Sequence, residues 1–80
     1  MRIINVEKIT HVFKEPAPYN QNILMFCQTI KITLEDKTQK IITLRESRLK
    51  DLKKIISELP NNNHYEYDKD REMLFFKPFL

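Results

Sequence analysis

The chain has 80 residues, 41% of them hydrophobic and 31% charged, with a formal net charge of +3. That length makes one domain, spanning residues 1–80. The composition is that of a soluble globular domain, and the basic excess is too small to mark a strong nucleic-acid binder. No glycine is present, which excludes Walker and dinucleotide phosphate loops and leaves any positive φ to Asn or Asp.

Residues 2–13 are rich in β-branched side chains (Ile3, Ile4, Val6, Ile9, Thr10, Val12), which favours strand. The alternation breaks at Glu7–Lys8. A bulge there restores one buried face, and a turn between two short strands is the alternative. Residues 14–22 carry two prolines and three amide side chains and read as a partly extended loop with Tyr19 exposed. Residues 23–34 form the strongest strand. Leu24, Phe26, Ile30, Ile32 and Leu34 share one parity, with Gln28 the exception. Ile23, Met25 and Cys27 make the opposite face apolar at its start, as in a central strand covered on both sides.

"EDKTQ" is a turn, and "KIITLRE" returns as a strand. A loop of four residues would place Ile42 and Leu44 with Thr29 and Lys31. A loop of three or five places them with Ile30, Ile32 and Leu34, and the odd length is expected because it keeps one apolar face. Residues 47–59 form the helix. Leu49, Leu52, Ile55, Ile56 and Leu59 make one stripe, Ser47 is the expected N-cap, and Pro60 with three asparagines ends it.

The last segment reads as a hairpin with "DKDR" as its turn, and antiparallel pairing around Lys69–Asp70 sets Tyr67 opposite Glu72 and Tyr65 opposite Leu74. Tyr65, Tyr67, Leu74 and Phe76 are expected in the core. His64, Glu66, Met73, Phe75 and Lys77 take the half-exposed face, and Pro78 limits the strand or places it at an edge. The fold class is therefore α+β: an antiparallel sheet of four or five strands with one amphipathic helix packed on one face, in the order β-β-β-α-β-β. The other sheet face, carrying Met25, Cys27, Phe75 and Met73, is either wet or covered by a second copy. Three strands followed by an amphipathic helix resemble the order in bacterial pleckstrin-like modules, where the helix normally closes the domain. Here a hairpin follows, and a resemblance of order alone implies no function.

The residues give little support to chemistry. His11, His64, Cys27 and Asp68 show no metal-ligand spacing, so no metal and no cofactor are expected. Ser47 caps, Ser57 lies on the polar side of the helix and Cys27 sits in an apolar run, so no nucleophile stands beside a histidine and no enzyme is expected. No apolar run approaches the ~18–20 residues of a membrane span. Glu7, Lys8 and His11 interrupt any signal-peptide core, and a lone cysteine forms no internal disulfide. The expected location is cytoplasmic.

Two binding surfaces remain. Lys50, Lys53 and Lys54 make a positive patch opposite the helix stripe and are candidate phosphate contacts. His64, Met73, Phe75, Lys77, Phe79 and Tyr19 are candidate partner contacts, with the apolar centre and charged rim of an interface. The expected function is a small non-enzymatic protein-interaction module, homodimeric through the uncovered sheet face or an edge strand, acting as an adaptor or inhibitor of another protein. The alternative is a single-stranded nucleic-acid-binding protein that stacks bases on Phe75 and His64, with Lys77 and the helix lysines on phosphate. Four acidic residues between Glu66 and Glu72 weigh against it.

Overall fold

The computed structural model describes residues 1–60 and 64–77. Four strands form one antiparallel sheet: β1 (Ile3–Lys8), β2 (Phe13–Ala17), β3 (Asn20–Leu34) and β4 (Gln39–Glu46). The helix α1 (Leu49–Glu58) follows, and β5 (Tyr65–Asp68) with β6 (Met73–Phe76) makes a second, two-stranded sheet. The α+β class is the expected one, with one strand more before the helix than expected.

The added strand is β2. Residues 14–22, expected as a loop, are strand β2, a turn at Pro18–Tyr19 and the start of β3. The prolines misdirect the reading because β2 lies at an edge, where a residue without N–H is tolerated. Ile30 pairs with both Lys8 and Ile42, and Cys27 with both Phe13 and Arg45. Strands β1 and β2 therefore share one edge of β3, and β4 occupies the other.

The shared edge is one strand interrupted. Lys8 faces Ile30 and Phe13 faces Cys27, so residues 9–12 stand opposite Gln28 and Thr29 alone. The interruption is pinned by hydrogen bonds. The Ile9 and Thr10 N–H groups donate to the Thr29 carbonyl at 2.9 and 3.2 Å. The Thr29 N–H donates to Thr10 Oγ1 at 3.1 Å, and Gln28 Nε2 donates to the Thr10 carbonyl at 2.7 Å. The alternation thus breaks after Lys8, not at Glu7–Lys8, and a smaller register shift lies between Ile3 and Asn5.

Strands β3 and β4 join through a loop of odd length. The Leu34 N–H donates to the Thr38 carbonyl at 2.8 Å and the Lys37 N–H to the Leu34 carbonyl at 2.9 Å, leaving Glu35, Asp36 and Lys37 between. Ile42 opposite Ile30 and Leu44 opposite Gln28 therefore join the face of Ile30, Ile32 and Leu34. Among the described residues positive φ falls on Lys37 (72°) and Glu72 (54°), not on Asn or Asp. Asp36 is already committed, since its carboxylate accepts the Thr38 N–H at 3.0 Å.

Helix α1 packs on β3 and β4. Leu52, Ile56 and Leu59 are buried with Ile3, Ile30, Ile32 and Leu34, and Ile55 packs at the margin. The expected N-cap moves from Ser47 to Arg48, which makes no side-chain cap bond. Strand β4 runs through Glu46, so only Ser47 and Arg48 remain to turn the chain, and Arg48 holds the extended conformation at the helix start.

The hairpin turn has the expected four residues but sits one residue later than expected. Residues 69–72 make it, Tyr67 faces Leu74 and Tyr65 faces Phe76. The register moves by two residues, so each side chain keeps its expected face. Tyr67 is buried, and Tyr65 and Leu74 pack half-buried against the core. Phe76, expected inside, is 57% exposed, because its place beside Tyr65 lies at the open end of the hairpin. The hairpin does not extend the main sheet across a face. It meets the chain start through an antiparallel backbone bridge between Arg2 and Glu66, so Met73 and Phe75 do not share a sheet face with Met25 and Cys27.

The face away from the helix carries a polar ladder. Lys31 pairs with Glu7 at 3.0 Å and Arg45 with Glu15 at 3.5 Å, while Thr29 and Thr43 share a hydrogen bond of 2.8 Å. Cys27 is fully buried among them, as its apolar setting predicts.

Candidate functional site

The partner contacts expected from sequence divide between two ends of the molecule. Tyr19 is 72% exposed at the turn that leads into Asn20, the first residue of β3. His64, Met73, Phe75 and Lys77 belong to the hairpin, which docks beside Met1 and Arg2 near the last residues of β3. No single surface holds all of them. Phe79 lies outside the described residues.

On the hairpin, Met73 is exposed and Phe75 half-buried under the Arg71 guanidinium, 6.0 Å from the ring centre. The His64 ring packs edge-on against Phe76, not Phe75, with centroids 6.0 Å apart. Lys77 is held by Glu66 at 2.8 Å. The aromatic ring left open is therefore Phe76. The sequence pattern assigns Phe76 to the core face correctly but cannot show where the core ends.

Carboxylates tie this hairpin down. Lys69 Nζ lies 2.9 Å from Asp36 Oδ2, joining the hairpin turn to the β3–β4 loop. The Lys69 hydrogen bond, with those from Thr38, holds the Asp36 carboxyl well below the usual carboxylate range. The Lys77 hydrogen bond lowers Glu66 against a smaller opposing cost of desolvation, and the N-terminal ammonium adds to the lowering. Both groups have folded-state values below their unfolded ones. Their contribution is therefore complete above the ordinary range near ~4 and disappears as pH falls through the lower folded values. We expect amide hydrogen exchange of β5 and β6 to rise below pH ~4 before that of β3, and exchange that rises in all strands together would contradict it.

The outer edge of β4 has no strand partner among the described residues. Leu34 and Thr38 are directly hydrogen-bonded. By alternation the N–H and C=O groups of Ile41, Thr43 and Arg45 therefore point away from β3. Ile41 is 66% exposed on this edge. Neither Lys40 nor Glu46 has an ion-pair partner among the described residues.

A cleft of about 630 Å³ opens on the other flank of the helix, where β1 is interrupted. Lys8, His11 and Val12 form one wall and Lys53, Ser57 and Ile56 the other. Of the three helix lysines, Lys53 lines this cleft, and Lys50 and Lys54 do not. Gln28, the alternation exception, is the buried polar residue of its floor, at 6% exposure. The role of Lys8 and His11 is not visible in sequence, because only the interruption brings them opposite the helix.

Among the described residues no three metal-ligating side chains cluster, and no helix is long and apolar enough to cross a membrane. No protein-family model matches the chain, and neither does any curated protein or solved structure.

Proposed function

We propose that the protein is a small non-enzymatic protein-interaction module that works as a homodimer, joined by the outer edges of two β4 strands, and acts in the cytoplasm as an adaptor or inhibitor of another protein. The observation that carries this reading is the self-complementary order of charges on that free edge. Antiparallel pairing about a two-fold axis at Thr43 sets Lys40 against Glu46 of the partner copy, Ile42 against Leu44, and Ile41 against Arg45. The outward N–H and C=O groups of Ile41, Thr43 and Arg45 then satisfy one another. A free edge of this length is otherwise a template for unwanted pairing. The same patch meets itself on both copies, as a two-fold interface requires.

The pairing also leaves room for a target. Antiparallel edges send the two β2–β3 hairpins in opposite directions, each carrying Tyr19, Ile23 and Leu24 in water beyond the helix. Full burial of each such side chain contributes about 1.5–3 kcal/mol. Met73 and Phe76 on the β5–β6 hairpin offer a second apolar contact.

A charge swap tests the dimer. Solution mass by light scattering is expected to give a dimer for the native chain. Lys40→Glu sets like charges opposite each other and weakens association about tenfold or more, and Lys40→Glu with Glu46→Lys restores it. A native chain that stays monomeric overturns the proposal. One that gains mass with a mixed single-stranded oligonucleotide, and loses it at high salt, supports nucleic-acid binding instead.

A further inference from the structure

We infer that the cleft between helix α1 and the interrupted edge is a binding site for a small phosphate monoester whose body carries hydrogen-bond donors, the chemistry of a nucleoside monophosphate or a sugar phosphate. The inference concerns the flank away from the β4 edge and does not depend on the dimer.

The cleft is basic. Lys8 arrives from the end of β1, His11 from the interruption and Lys53 from the helix, and no carboxylate lines the cleft with them. Elsewhere Lys31, Arg45, Lys69, Arg71 and Lys77 have an acidic partner, while other basic side chains, Lys40, Lys50 and Lys54 among them, stand without one among the described residues. Lys8 and Lys53 have none among the described residues. Two unneutralised ammonium groups converging on one concavity repel each other, and a bound dianion removes that cost. A phosphate monoester matches two ammonium groups better than a single carboxylate does.

Where residues 9–12 leave the strand, Thr10 is bonded to Thr29 and Gln28 from both its backbone and its hydroxyl. Interruptions that re-aim side chains are common beside binding sites. The volume is within the range of small-molecule sites, about 300–1,000 Å³, and Val6, Val12 and Ile56 supply an apolar surface for the body of a ligand.

The amide nitrogen of Gln28 is used on the Thr10 carbonyl, and no buried side-chain polar atom among the described residues lacks a partner. No donor among the described residues is seen on the Gln28 amide oxygen, and Gln28 lines the cleft. An acceptor at that place selects a ligand body with N–H or O–H groups over a plain alkyl phosphate.

The test is a titration followed by amide chemical shifts and by melting temperature at low salt. The probes are adenosine 5′-monophosphate, ribose 5-phosphate, adenosine and inorganic phosphate. At least one monoester is expected to saturate, shifting the amides of Lys8, His11, Lys53 and Ser57 and raising the melting temperature. Which monoester binds tighter tells a nucleotide from a sugar phosphate. Lys8→Glu with Lys53→Glu is expected to weaken binding about tenfold or more, while unliganded melting stays near the native value because both side chains are exposed. Gln28→Leu would disturb the interruption itself, so the paired lysine variant carries the test.

Failure of both monoesters to saturate in the millimolar range overturns the inference, as does binding unchanged in the paired variant. Inorganic phosphate binding as tightly as the monoesters overturns the assignment of the ligand body. An oligonucleotide that displaces the monoester and binds far more tightly overturns it in favour of a polymer.

Discussion

Leu52→Ala is expected to cost about 2–5 kcal/mol of folding stability. Leu52 is fully buried at the centre of the helix stripe, in the cluster that holds Ile30, Ile32 and Leu34. The loss has two parts: the transfer energy of the removed carbons, and the cavity left because β3 is pinned on both edges and cannot collapse inward. A domain of this size has a total stability on the order of 4–12 kcal/mol. The variant should therefore melt about 8–40 °C lower, at about 4–8 °C per kcal/mol, or be unfolded at room temperature. Lys50→Ala, two residues away on the exposed side, should stay within about 0.5 kcal/mol. Urea titration of both variants checks the pair. A Leu52→Ala loss below ~1 kcal/mol would mean that the helix is not seated on the sheet as described.

The helix and its contacts were the most legible part of the chain, because a 3.6-residue stripe and a period of two are repeated signals. The odd β3–β4 loop follows from the same logic: only that length puts Ile42 and Leu44 beside Ile30 and Ile32. Single residues were harder to read. Pro16 and Pro18 resemble a loop signal, yet Pro16 sits in an edge strand opposite Leu24. Ser47 resembles a cap, but β4 uses the chain up to Glu46 and the helix starts one residue late. The hairpin faces were legible by parity while its register was not, since a shift of two leaves every parity unchanged.

Candidate sites depend on contacts distant in sequence. Lys8 and Lys53 lie far apart in the chain and share a cleft only through the interruption after Lys8. The charge symmetry of Lys40 and Glu46 could have been read from "KIITLRE" alone, but it has meaning only once β4 is known to be an edge. Gln28 shows the same limit. It breaks the apolar parity of β3, and the reason is a bond to Thr10 across the sheet. An exception in an otherwise regular pattern was the one sequence signal that pointed to the cleft.

Tyr67→Ala should release the β5–β6 hairpin while leaving the main sheet folded. Tyr67 is the buried residue of β5 and belongs to the core cluster. Its N–H donates to the Met1 carbonyl at 2.8 Å, and its own carbonyl accepts the N-terminal ammonium at 2.8 Å. Burial raises the pKa of its phenol, with Glu72 and Asp68 adding to the shift. Truncating a buried aromatic costs about 3–5 kcal/mol. The β5–β6 pair has no stability of its own to absorb that loss, since an isolated two-stranded hairpin is marginal in water. The sheet has other supports: Ile3, Leu52, Ile56 and Leu59 still cover β3. Hydrogen exchange should therefore show β5 and β6 amides losing most of their protection, with β3 amides falling only by the share of Tyr67 in the core. Leu52→Ala, in contrast, should lower protection in every strand. If Tyr67→Ala lowered all strands equally, the hairpin and sheet would be one cooperative unit, and an acid-induced release of the hairpin alone would be ruled out with it.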